Sequence, residues 1–164
     1  MQLLKIYYAY FSPGNTTEKV VSHIASSFQN YPVESINLTD YATRQEDYYF
    51  KENELLIIGV PAYGGRVPAP VVDALRHFTG SNTPVVLVAT YGNRDIDDTL
   101  IELKKNVIDK GFIPVGAASF VCQHTFLKEC AEGRPDEEDL KMAGEFGDKL
   151  KNAFVFSLHM MPAT

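Results

Sequence analysis

The 164-residue chain is 45% hydrophobic and 22% charged, which excludes a disordered chain, and no apolar run nears the ~20 residues of a membrane span. Its length suits one domain over residues 1–164 with a single core. A net charge of −6 argues against nucleic-acid binding, and two cysteines, Cys122 and Cys130, build neither a disulfide framework nor an iron–sulfur cluster.

Met1 to Tyr10 lacks a basic region, a long apolar stretch and a small-residue cleavage site, so it reads as a first strand of a cytoplasmic protein and not as a signal peptide. That strand covers Leu3 to Tyr10. A Ser-Pro-Gly-Asn-Thr-Thr turn leads into a helix with Val20, Val21, Ile24, Ala25 and Phe28 on one face, ended by Pro32. Val33 to Asn37 is a half-polar second strand, and Leu38 to Asn53 a polar, Tyr-rich connection without a clear period.

Leu55 to Val60 is a continuous apolar run, the pattern of a central parallel strand. Pro68 opens a short helix with Val71, Ala74, Leu75 and Phe78 apolar, and Gly80 releases the chain into a turn. Pro84 to Thr90 is the fourth strand. Asp97 to Lys110 is a helix turning Leu100, Leu103 and Val107 inward, with Gly111 as its C′ residue. Ile113 to Phe120 is the fifth strand. After a loop from Val121 to Arg134, Pro135 starts a last helix with Leu140, Ala143, Gly147, Leu150 and Phe154 inward and acids in its first turn.

Strands alternating with helices throughout specify an α/β class, a three-layer doubly wound sandwich around a five-stranded parallel sheet in the order 2-1-3-4-5. Ligands of such sheets sit beyond the carboxyl ends of the strands, near the switch point between strands one and three. The loops there are therefore the candidates.

The first, Ser12-Pro13-Gly14-Asn15-Thr16-Thr17, offers hydroxyls and backbone amides at a helix N-terminus, an anion site that needs no Lys or Arg; alone it reads equally as a Ser/Thr helix cap. The second runs from Pro61 through Ala62, Tyr63, Gly64 and Gly65 to Pro68, joining an aromatic to two glycines that let backbone approach a flat ring. The third, Thr90-Tyr91-Gly92-Asn93-Arg94-Asp95, repeats that pairing. Each alone is explained by a tight turn with a packed tyrosine. Their agreement on one edge points to a site.

Taken together, Tyr10-Phe11-Ser12-Pro13 with Thr17-Glu18-Lys19-Val20, Gly59 to Pro68, Thr90 to Asp95 and Gly133 to Leu140 make the chain resemble a flavodoxin, especially the flavodoxin module of flavodoxin–ferredoxin two-module proteins. The resemblance covers nearly the whole chain. It implies an FMN whose phosphate is held by Ser12, Gly14, Asn15, Thr16 and Thr17. Its isoalloxazine would be flanked by Pro61 to Gly65 and Thr90 to Arg94, with Tyr63 and Tyr91 as the stacking aromatics and Gln123 and His124 closing one side. It further implies an electron carrier whose redox partner, a ferredoxin-type iron–sulfur protein, is a separate chain, since no such module follows the last helix.

The phosphate loop departs from the family's Ser/Thr-x-Thr-Gly-Asn-Thr. Aligned without a gap, Gly14, Asn15 and Thr16 replace its central Thr, Gly and Asn. Asn15 tolerates positive φ, so the turn survives, while the hydroxyl lost at Gly14 costs about 1 kcal/mol of phosphate binding.

Two other readings share the fold: an FMN-dependent NAD(P)H:quinone-type oxidoreductase, and a flavin-free module that only binds a partner. A receiver-type signalling domain is excluded, because Ala9-Tyr10-Phe11-Ser12 and Pro61-Ala62-Tyr63 stand where its acids would be.

Overall fold

The apolar runs of the sequence become the strands of one parallel sheet. The computed structural model describes residues 2–159, with side chains through 155; Met1 and the end of the C-terminal stretch, 160–164, lie outside the described residues. In chain order the elements are β1 (Lys5–Tyr10), α1 (Thr16–Ser26), β2 (Val33–Asn37), β3 (Tyr48–Phe50), β4 (Glu54–Pro61), α2 (Ala69–Ala74), β5 (Phe78–Gly80), β6 (Thr83–Tyr91), α3 (Thr99–Ile108), β7 (Phe112–Val121) and α4 (Glu137–His159).

The main sheet runs β2-β1-β4-β6-β7, all parallel. This is the expected 2-1-3-4-5 order once the short β3 and β5 are set aside. β4 and β6 are buried almost end to end, because helices cover both faces of a parallel sheet. One face packs Val20, Val21 and Ile24 of α1 and Ala143 and Leu150 of α4 against Leu55, Ile57, Val86 and Val88. The other packs Val71 and Ala74 of α2 and Leu103 and Val107 of α3 against Leu56, Ile58, Val85 and Leu87. Each fully buried valine, leucine or isoleucine among them contributes about 1.5–3 kcal/mol of transfer free energy.

Several local expectations are corrected. The connection from Leu38 to Asn53 holds a 3-10 turn at Thr43–Gln45 and the strand β3, which pairs in parallel with β5. Phe78, expected on the short helix, therefore lies in β5, and Gly80 ends that strand just before the bend at Ser81 and Asn82. The cause is aromatic: Phe50 packs on Phe78 at 5.3 Å and on Phe112 at 5.4 Å between ring centroids, a cluster gathered from distant parts of the chain.

Helix α1 closes at Ser26, ahead of Pro32, whose carbonyl accepts from the Ile6 amide at the entry to β2. Gly111 takes a positive φ of 86° just past the end of α3, the left-handed conformation expected of it there.

Candidate functional site

The loops after β1, β4, β6 and β7 meet at the carboxyl edge of the sheet, and the first is built around Ser12. Its amide donates to Thr39 Oγ1 at 2.8 Å, its carbonyl accepts from the Asn15 amide at 3.0 Å, and its buried hydroxyl accepts from the Glu18 amide at 3.0 Å. Ser12 thus caps α1 from outside the helix. Asn15, the residue at the N-cap position, sits at φ 61° and makes no side-chain cap. The amides of Gly14, Thr16 and Thr17 meet no protein acceptor among the described residues, as the first amides of a helix do without a partner. Pro13, Gly14 and Asn15 are exposed, and a Cβ added at Gly14 would meet nothing.

Thr17 points inward. Its Oγ1 pairs with Thr90 Oγ1 at 2.7 Å, both residues buried. That bond ties the first loop to the end of β6. One of the two hydroxyls keeps an unused hydrogen.

In the second loop, Tyr63 and Arg66 exchange backbone hydrogen bonds at 3.0 and 3.1 Å around Gly64 (φ 59°) and Gly65 (φ 74°). Positive φ at both central residues is the signature of a type I′ turn, which side chains strain. The turn projects Tyr63, 38% exposed, edge-on to Phe11 with ring centroids 6.4 Å apart. The Ala62 amide donates to the Thr90 carbonyl at 2.7 Å, fixing this loop to the third.

In the third loop Tyr91 is half-buried and its carbonyl accepts from the Cys122 amide at 2.8 Å. Gly92 has no room for a side chain, since a Cβ would stand 2.5 Å from His124. His124 Nδ1 accepts from the amides of Phe126 and Leu127 at 3.1 and 3.0 Å. This assigns the ring proton to Nε2. The segment after β7 is thereby pinned back on its own histidine, leaving Phe126 84% exposed.

These loops enclose an open cleft of about 320 Å³. Of the residues expected from sequence, Thr16, Pro61, Ala62, Tyr63, Gly64, Thr90, Tyr91, Gly92, Gln123 and His124 line it. Ser12, Pro13, Gly14, Asn15 and Thr17 lie in the neighbouring helix entry, and Gly65, Asn93 and Arg94 lie on the flanking turns without lining the cleft. Thr16 is the link between entry and cleft.

Cys122, Thr125 and Phe126 also line it and were not singled out. Their one signal is position just beyond the last strand's carboxyl end. Burial pushes the Cys122 thiol up to about 12, against a smaller opposing pull from the Thr16 hydroxyl. It forms an uncharged floor and not a nucleophile. Among the described residues no group of acids, histidines and cysteines could hold a metal, and no helix is long and apolar enough to cross a membrane.

No protein-family model matches the sequence, and no curated protein matches it. Solved structures do. A flavodoxin from the domain Archaea superposes with a TM-score of 0.63 at 14% identity, over 92% of this chain and 98% of that one. This chain has the flavodoxin fold. The two-electron reduced Megasphaera elsdenii flavodoxin matches with a TM-score of 0.54 at 21% identity, over 88% and 98% of the chains.

Rubredoxin oxygen:oxidoreductase from Desulfovibrio gigas matches with a TM-score of 0.66 at 14% identity; 96% of this chain spans 38% of that one. The flavodoxin fold thus occurs both as a whole chain and as part of a longer one. None of these likenesses singles out the two-module flavodoxin–ferredoxin subtype.

Proposed function

We infer that this chain binds FMN at the carboxyl edge of its sheet and serves in electron transfer. The observation that carries the reading is the set of unpartnered amides at the start of α1, opening through Thr16 onto a cleft walled by Tyr63 and Tyr91. A flat ring bearing a phosphate on a flexible arm matches such a pair of neighbouring sites. The redox names of the fold's neighbours agree with it.

The amides of Gly14, Thr16 and Thr17 donate to the phosphate, helped by the positive end of the α1 dipole, so no lysine or arginine is required. Ser12 contributes its hydroxyl hydrogen while its oxygen continues to cap Glu18. Tyr63 and Tyr91 flank the ring, Pro61, Ala62 and Gly64 bring backbone to its edge, and His124 closes the side formed by the β7 segment. Asn15, at its left-handed φ, keeps the turn that aims the amides despite the hydroxyl missing at Gly14. FMN, once bound, supplies one- and two-electron chemistry, and the protein's part is binding, orientation and access. The partner in this reading is a redox protein of the ferredoxin type.

The test is titration of flavin-free protein with FMN and, beside it, riboflavin. Charge-assisted hydrogen bonds to the phosphate at about 1.5–3 kcal/mol each make FMN at least about 100-fold the tighter ligand. Equal affinities would overturn the phosphate assignment, and no binding of either would overturn the flavin reading. With FMN bound, fast reduction by a ferredoxin-type donor and slow bleaching by NADPH are expected. Rapid bleaching by NADPH would make the chain a reductase.

A further inference from the structure

The turn that carries Tyr63 into the cleft is gripped from outside the cleft by one carboxylate. Glu102 stands in the first turn of α3. Its Oε2 accepts from Arg66 Nε at 2.9 Å and from the Val67 backbone amide at 2.9 Å, and its Oε1 accepts from Arg66 Nη2 at 2.8 Å. A two-pronged guanidinium–carboxylate pair fixes direction as well as distance, and the third bond ties the same carboxylate to the main chain.

At the surface, with Arg66 63% and Glu102 23% exposed, such a pair contributes little to global stability. Its consequence comes from where it pulls. Arg66 is the closing residue of the turn and exchanges both backbone hydrogen bonds with Tyr63. On the other side of the turn, the Asp97 side chain fills the space where a Cβ of Gly65 would stand, 2.5 Å away. The turn is therefore held between two side chains from the α3 entry, while Gly64 at its tip faces open space.

We propose that Glu102 is a positioning residue for the cleft: by gripping Arg66 and the Val67 amide it fixes the Tyr63–Arg66 turn, and with it the place where Tyr63 meets a bound planar ligand. That this ligand is a flavin rests on the reading above, whereas the grip on the turn does not.

Two measurements decide it on the wild type, Arg66→Ala, Glu102→Ala and the charge-reversed pair Arg66→Glu with Glu102→Arg: amide exchange in the flavin-free protein, and titration with riboflavin and FMN. Both single variants should speed exchange at the Tyr63 and Arg66 amides by about tenfold and leave β4 and β6 amides unchanged. Both should weaken riboflavin and FMN by one common factor, roughly three- to tenfold, because preorganisation of the ring side is lost and the phosphate loop is untouched. The reversed pair should restore part of each effect.

Unchanged exchange at Tyr63 and Arg66 in Arg66→Ala, a variant at an exposed site that leaves the core intact, overturns the proposal. So does loosened exchange with undiminished riboflavin binding. If neither flavin binds the wild type, the flavin reading falls and the exchange measurement alone upholds or overturns the grip.

Discussion

The hydroxyl pair of Thr17 and Thr90 shows how much of the site rests on single atoms. The two oxygens lie 2.7 Å apart where no water reaches them, at the point where α1 meets the end of β6. Replacing one by valine leaves the other a buried hydroxyl with nothing opposite, a cost of about 1–3 kcal/mol. Replacing both leaves an apolar contact of the same shape. Thr17→Val and Thr90→Val should each lower stability by that amount in urea denaturation, and the double variant should lose clearly less than the sum. Additive losses would mean that each hydroxyl has a partner of its own.

Gly59 sits next to this pair, and a Cβ there would stand 2.1 Å from Val21 Cγ2 and 3.2 Å from Thr17 Cγ2. From sequence it was legible only as part of a motif. Its reason is the close seat of α1 on β4, which no local pattern reveals.

At the scale of elements, α4 begins in a reciprocal cap. Asp136 Oδ1 accepts from the amides of Glu138 and Asp139, both at 3.0 Å, and Asp139 Oδ2 accepts from the Asp136 amide at 2.9 Å. This is the two-way arrangement of a capping box with aspartate at the third helical position. Arg134 then closes on Asp139 with two hydrogen bonds, joining the cap to the segment that walls the cleft. Asp136→Ala should cost about 1 kcal/mol in thermal or urea unfolding. A loss within error would show that the dipole and the apolar stripe of α4 suffice.

The acids here were legible as charges suited to a helix start; their bonding was not, because it depends on Arg134 from the preceding loop. The short β3 and β5 were illegible for a related reason. Three residues carry no alternation to count, and what stabilises them is the aromatic cluster around Phe50, assembled from separate segments.

For the whole molecule, the order of elements was legible because it depends on the alternation of apolar runs with helical periods, a signal summed over the chain. The main sheet follows from it through the preference for right-handed crossovers. The carboxyl-edge loops were legible for the same reason, since fold topology places them whatever their detail. The Glu102 grip was not, because it joins residues 36 apart that no motif connects.

Two ion-paired carboxylates give the molecule a definite acid response. Arg134 holds the buried Asp139 carboxyl below its usual range, and Arg66 does the same to Glu102, with the Val67 amide adding to it. A carboxyl with a lower pKa folded than unfolded takes up its proton more readily in the unfolded chain. Its contribution is therefore complete above the unfolded value, about 4, and is lost as pH falls through the depressed folded value. Urea midpoints should hold steady from neutral pH down to about pH 5 as far as these groups decide, then decline toward pH 2. Asp139→Asn should be less stable than the wild type at pH 7 by about 1–3 kcal/mol, since a neutral amide cannot replace the charged partner of Arg134. That gap should narrow steadily on acidification, as the wild-type carboxyl itself becomes neutral. A gap that stays constant from pH 7 to pH 2 would show that Asp139 acts through packing and backbone hydrogen bonds alone, with its charge and the Arg134 pair contributing nothing.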